Sequence, residues 1–252
     1  MAPLGLLLAG LKRAPLVMML HDYEPLRSLE LRGIAGSRLS AWMISLFTGL
    51  YERADKIVVT IGTDLEALLA RGAPGEKLEV LTHGIDVDCF LQQALKPCPF
   101  SLPKRPGRCS ALYLGTMGVA HDVEKLIECF GRPQIRGMPV DLTVVGDGEC
   151  APACYRAVRE EKMDNVRIFP PVDLDWVPGL LLQADVLVCS QKPDLFSVGS
   201  KFYEYLAAGK PLLVNSTGIL ARTVHEIGNG WVFRADDPDS LQRALSELTA
   251  CP

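Results

Sequence analysis

The 252-residue chain contains eight cysteines but no Cys-x-x-Cys pair. Cys150 and Cys154 are four residues apart, and no His/Cys pair follows them at metal-ligand spacing, which argues against a zinc site. The thiols are scattered through a chain too large to need disulfide staples, so they read as free thiols in a reducing compartment. Basic charge is not in excess. The formal net charge is −4, which gives no support for general nucleic-acid binding. Neither apolar run at the N-terminus reaches the roughly 18–20 residues of a transmembrane helix. Leu4–Leu11 is broken by Lys12-Arg13 before Ala14–Leu20, and no basic region precedes the first run, as a secretory signal would require. A short helix with a Lys/Arg end resting on a membrane surface remains open. The Gly-x-Ser-x-Gly elbow, the P-loop and His-Glu-x-x-His are all missing, as is any solenoid repeat.

The chain is 48% hydrophobic and 22% charged, the composition of a globular protein with real cores. Short apolar runs alternate with helical periodicity. Pro15–Leu20 reads as a strand buried on both faces, and Lys56–Thr60 and Leu78–Leu81 as further strands. Leu39–Ala54 reads as a helix. Residues 83–107 change character, with Pro97, Pro99, Pro103 and Pro106 among basic side chains, and mark a domain boundary. Strands at Ser110–Leu114, Val140–Val145, Val166–Phe169, Val186–Ser190, Pro211–Asn215 and Gly230–Arg234 then alternate with helices. This pattern implies an α/β fold of doubly wound parallel sheets. The expected division is a partial N-terminal Rossmann domain at 1–85, a linker at 86–107 and a nearly complete C-terminal Rossmann domain at 108–252.

Gly199-Ser200-Lys201-Phe202-Tyr203-Glu204 opens a helix that stops at Gly209-Lys210-Pro211. Lys201 and Glu204 share one helix face in the first turns, where backbone N–H groups and the helix dipole favour an anion. The pair reads in two ways. One is an intrahelical ion pair on a solvated face. The other is a nucleoside diphosphate site, with Lys201 on phosphate and Glu204 on ribose. Gly115-Thr116-Met117-Gly118 lies between a strand and a helix, and suits either a tight turn or close approach to a phosphate. Gly146-Asp147-Gly148 forms a second short loop at the same sheet edge. His21 stands at the carboxyl end of an apolar strand, where open α/β sheets bind ligands. It reads either as a proton-transfer or hydroxyl-binding residue or as a structural histidine.

Taken together, five elements resemble the retaining glycosyltransferases of family 4, with the two-Rossmann GT-B fold. They are Tyr113-Leu114-Gly115-Thr116-Met117-Gly118, Val144-Val145-Gly146-Asp147-Gly148, Ala184-Asp185-Val186-Leu187-Val188, Ser200-Lys201-x-x-Glu204-Tyr205-Leu206-Ala207-Ala208-Gly209-Lys210-Pro211 and Gly228-Asn229-Gly230-Trp231-Val232. The Ser-Lys helix start looks like bacterial polysaccharide and lipid-linked sugar transferases. The resemblance implies a donor site built from Gly115, Thr116, Met117, Gly118, Ser200, Lys201 and Glu204. It also implies a catalytic His21 facing the donor sugar, and a Lys201 that stabilises the leaving diphosphate without a metal or cofactor. Retention by front-face departure and attack needs no protein nucleophile. The implied donor is a nucleotide-diphosphate sugar, UDP before GDP, and the implied acceptor is a glycan or a lipid-linked sugar. The implied setting is cytoplasmic, with peripheral membrane contact and no nucleic acid. The sequence departs from the pattern at three places. Phe196 stands where relatives carry a Glu, with Asp194 the nearest carboxylate; Gly199 replaces a common Pro; and Lys125 lies further along the helix than the usual cation. The first domain is less than half present, so a second reading is a nucleotide-binding fragment or split-transferase subunit that needs a partner chain. A sugar-nucleotide epimerase of the same two-Rossmann shape is a third.

Overall fold

The computed structural model describes residues 2–20, 38–70, 72–192 and 198–250. The chain divides into two units, Met1–His83 and Gly84–Pro252.

In the first unit, helix α1 (Ala2–Lys12) leads into strand β1 (Val17–Leu20), and α2 (Arg38–Arg53), β2 (Lys56–Val59), α3 (Gly62–Ala70) and β3 (Leu78–Val80) follow. The three strands are parallel in the order β1-β2-β3. Ile57 and Val59 of β2 are fully buried and pack with Tyr51, Leu68 and Leu78. β1 departs from the sequence expectation of a strand buried on both faces. Among the described residues it lies at the sheet edge, and Val17 and Met19 are 59% and 46% exposed. An apolar run alone does not distinguish an edge strand from a central one. Asp55 fixes the start of β1: its carboxylate accepts from the Leu16 amide at 2.7 Å, and its own amide donates to the Leu16 carbonyl.

The second unit contains α4 (Val87–Ala94), β4 (Cys109–Leu114), α5 (Val123–Gly131), α6 (Pro133–Arg136), β5 (Val140–Val145), α7 (Ala151–Glu160), β6 (Val166–Phe169) and α8 (Val177–Gln183). It continues through β7 (Val186–Ser190), α9 (Ser200–Ala207), β8 (Leu212–Asn215), α10 (Ile219–Ile227), β9 (Gly230–Phe233) and α11 (Pro238–Ala250). Its six strands are all parallel, in the order β6-β5-β4-β7-β8-β9. Numbered within the unit this is 3-2-1-4-5-6, the doubly wound order whose direction reverses between β4 and β7. Every residue of β4 after Cys109, and all of β5, β7 and β8, is buried. That explains why these strands read as continuous apolar runs.

The stretch 86–107, expected as a linker, belongs to the second unit and carries α4. The Asp86 side chain caps this helix by accepting from the Cys89 amide at 2.9 Å. The basic residues that follow it anchor the chain rather than bind a ligand. Lys104 pairs with Asp185 at 2.8 Å, and Arg105 and Arg108 both pair with the buried Asp141.

Candidate functional site

The β4–β7 ladder pairs Ala111 with Val186 and Leu112 with Leu187. At Leu114 the Tyr205 hydroxyl stands in for a strand partner. It accepts the Leu114 N–H and donates to the Leu114 carbonyl, both at 3.0 Å. Both residues are buried. The sheet therefore opens at its switch point without leaving two orphaned backbone groups. A cavity of about 640 Å3 lies at this opening. Leu114, Gly115, Thr116 and His121 line it after β4, and Gly199, Ser200, Lys201 and Glu204 line it after β7. Ile85, Phe90, Leu174, Val177 and Pro178 form its apolar end.

The glycine loop is built by close backbone approach. Gly115 has φ +141° and Gly146 φ +153°, both in the region that favours glycine. A Cβ on Gly146 would lie 1.9 Å from the Gly115 carbonyl oxygen. A Cβ on Gly115 would lie 3.3 Å from Lys201 Nζ. The Gly115 amide donates to Val145 O at 2.9 Å and the Met117 amide to Asp147 O at 2.8 Å. The Thr116 and Gly118 amides have no partner among the described residues and are the loop's two uncommitted donors. Met117, expected at the donor site, is fully buried in the core, and its N–H is already used. Gly118 opens the short turn Val119–His121 and lies outside the cavity lining. The Gly146-Asp147-Gly148 loop thus braces the first glycine loop.

Lys201 and Glu204 both line the cavity and form no ion pair with each other; no ion pair involves Lys201 among the described residues. Lys201 Nζ instead donates to the Tyr113 hydroxyl at 3.0 Å and lies 4.1 Å from the centre of the Tyr113 ring. That hydroxyl donates in turn to Thr116 O at 2.7 Å. Burial holds the Lys201 ammonium below its ordinary pKa, partly opposed by Cys189 and Glu204. Burial raises the Glu204 carboxyl, with Lys201 opposing. A cation steadied by a neutral hydroxyl and an aromatic face, with no anionic partner, is set to meet an anion. Helix α9 has no side-chain cap, and its first internal bond is from Phe202 N to Gly199 O. Among the described residues the amides of Ser200 and Lys201 therefore also have no partner.

The sequence reading missed three residues. Tyr113 and Tyr205 stand within the motifs without a signal of their roles, although one holds Lys201 and the other holds the sheet open. His121 lines the cavity, and its only sequence signal is its position three residues after Gly118. Burial and the Lys201 charge hold its imidazole down at about 4. His21, Asp194 and Phe196 lie outside the described residues. Burial pushes the Cys109 thiol up to about 11 and the Cys154 thiol up to about 12, which makes both poor nucleophiles. Among the described residues no group of His, Cys, Asp or Glu is placed to hold a metal ion, and no helix is long and apolar enough to cross a membrane.

Comparison with known proteins gives this geometry its context. Residues 1–89 match the family described as Glycosyltransferase Family 4. A curated relative, WcaI of Escherichia coli (strain K12), assigned as a colanic acid biosynthesis glycosyl transferase, is 25% identical over 199 residues. The match covers 76% of this chain and 48% of WcaI, so the chain spans about half the length of that relative. The fold is similar to that of Anabaena Alr3699/HepE solved in complex with UDP and glucose, with a TM-score of 0.73 at 17% identity over 98% of this chain and 65% of that one. It is similar also to sucrose-phosphate synthase from Thermosynechococcus elongatus, with a TM-score of 0.70 at 18% identity over 98% and 62%. An E. coli trehalose-6-phosphate structure bound with UDP-2-fluoro glucose gives 0.69 at 14% identity over 99% and 70%. These likenesses establish the GT-B type of α/β fold. The family described as Glycosyl transferases group 1 matches residues 108–250, more than half of the sequence, and the chain belongs to that family.

Proposed function

We propose that the chain is the donor-binding part of a retaining glycosyltransferase that moves a sugar from a nucleotide-diphosphate sugar to a glycan or lipid-linked acceptor. The observation that carries this reading is the Lys201 ammonium, without an ion pair among the described residues, beside a helix start whose first amides have no partner among them, at the switch point of a doubly wound sheet. Lys201 and the α9 amides meet the charge that grows on the leaving diphosphate, so the departure needs no metal. Glu204, one helical turn further, accepts from the ribose hydroxyls. The Thr116 amide, uncommitted among the described residues, faces the phosphates from the other side of the cleft. UDP is favoured over GDP because solved relatives of similar fold carry UDP or a UDP-sugar. In this reading residues 108–252 form the donor side and 1–85 part of the acceptor side, and His21 keeps the catalytic role that the family resemblance implies.

A second reading is a nucleotide-binding subunit that works with a partner chain. It is favoured by the exposed apolar side chains of the first unit, with Leu7, Leu11 and Trp42 at 59%, 73% and 62% exposure. The same α1 leucines beside Lys12 would serve for peripheral contact with the cytoplasmic face of a membrane. Thermal-shift titration with UDP, GDP and ADP tests the donor reading. A saturating rise with UDP is expected, because ligand stabilises the folded state by mass action. A cooperative melt that none of the three nucleotides moves would sink it.

A further inference from the structure

His121 reaches the cavity through a turn that the rest of the unit holds rigidly. The Val119 amide donates to the Glu149 carboxylate at 3.2 Å, and the Lys192 amide donates to the Ala120 carbonyl at 3.1 Å. The next residue, Asp122, is a non-glycine residue in the left-handed region, at φ 51° and ψ 33°. Its carboxylate accepts from Asn215 and its carbonyl from the Ser190 hydroxyl, each at 3.4 Å. A strained backbone persists only where surrounding contacts over-determine it, and such sites cluster at ligand clamps. The side chain this turn presents to the cavity is the His121 imidazole, and the ring has no hydrogen-bond partner among the described residues. It shares the cavity with Lys201 from α9.

We propose that His121 is a second contact for the donor diphosphate: its imidazole hydrogen-bonds the phosphate that Lys201 neutralises, and it takes up a proton from solvent as nucleoside diphosphate binds. The proposal rests on the donor reading above. In the unliganded protein the ring is neutral, since burial and the Lys201 charge both oppose protonation. Glu204 on α9 and Asp86 at the start of α4 share the cavity, and Asp122, Glu149 and Lys192 border the turn. Lys201 is the one of these whose charge acts on the ring appreciably. A bound diphosphate brings negative charge that offsets Lys201 and favours the imidazolium. The bound-state pKa therefore lies above the free-state value of about 4. Between the two values binding takes up a proton, and affinity falls as pH rises. Above both values the imidazole is neutral in both states and this dependence vanishes.

The test is isothermal titration of UDP into the full chain at pH 6 and pH 8, in buffers of differing ionisation enthalpy, for the wild type and for His121→Gln. The nucleotide's own phosphate also exchanges protons, so the difference between the two proteins isolates the imidazole. The wild type should take up several tenths of a proton more than His121→Gln at pH 6. It should bind about 10-fold more tightly there, with the gap narrowing at pH 8. Imidazole 15N shifts of the wild type should report His121 charging on UDP addition, a readout that does not depend on the variant folding. Equal proton uptake by the two proteins, with unchanged imidazole shifts, overturns the proposal while leaving the donor reading intact. A wild type that binds no nucleoside diphosphate overturns both.

Discussion

Removing one oxygen atom at Tyr205 should damage the second unit more than most surface truncations. Tyr205 and Leu114 lie 91 residues apart in sequence, and the Tyr205 hydroxyl serves both backbone groups of Leu114 at 3.0 Å. Tyr205→Phe keeps the ring and its packing, so the cavity contribution of a large-to-small substitution is absent. What remains is a buried N–H and a buried C=O without partners. Each costs about 1–3 kcal/mol. Relaxation of the strand end recovers part of this, so the expected loss is about 3 kcal/mol. For a domain of this size that corresponds to a melting-point drop of about 6–12 °C. Urea unfolding followed through Trp176 and Trp231, which both lie in the second unit, gives the magnitude. Hydrogen exchange at the Leu114 amide gives the location, since that amide should lose protection first. Tyr155→Phe, at a side chain 44% exposed, is the control and should change stability by under about 0.5 kcal/mol. A Tyr205→Phe protein as stable as this control, with Leu114 still protected, would refute the view that the hydroxyl holds the sheet open.

Lys201→Ala should weaken UDP binding by at least about 1.5 kcal/mol, the worth of a charge-assisted hydrogen bond, when read by calorimetry. Glu204→Ala should weaken UDP and leave inorganic pyrophosphate unaffected; equal losses for both ligands would remove its ribose role. Gly146→Ala forces a Cβ to 1.9 Å from the Gly115 carbonyl oxygen. It should therefore cost at least about 2 kcal/mol in urea unfolding and reduce UDP affinity by displacing the glycine loop. Burial alone would raise the Asp141 carboxyl, but hydrogen bonds from Arg105 and Arg108 outweigh it and hold it below its ordinary 3.8. A depressed folded-state value means this stabilisation is present above the unfolded pKa and lost as pH falls through the folded one. Urea midpoints should accordingly drop below about pH 4. Asp141→Asn should flatten that acid limb and cost on the order of 3 kcal/mol at pH 7, where it leaves two arginines without their carboxylate.

Several elements were legible from local pattern. The strands of the second unit read as continuous apolar runs because both faces of the sheet are covered, the glycine loops fall where turn chemistry puts them, and the helix start at Ser200 falls where the sequence reading has it. Helix α4 was harder to read, because its eight residues lie next to a proline-rich stretch that looks like a linker. The Asp86 cap was its one clear signal. β1 was misread because an apolar strand carries no mark of whether another element covers it. In the candidate site, Lys201 and Glu204 were visible as types at a helical spacing. Whether they pair with each other or face a ligand was not, because that depends on Tyr113, which reaches Lys201 from 88 residues away.

The sequence by itself determined the alternation of strands and helices, the parallel doubly wound class, and the residue types gathered at the strand ends. These follow from periodicity, backbone preference and turn chemistry, which act over a few residues. Only the tertiary structure decided which of those residues share a cavity. It buried Met117 in the core and committed its amide to Asp147. It brought His121 beside Lys201, and it placed the Tyr205 hydroxyl on both backbone groups of Leu114, where the sheet opens at its switch point. Those outcomes depend on hydrogen bonds and close packing between segments remote in sequence, and no local pattern encodes them.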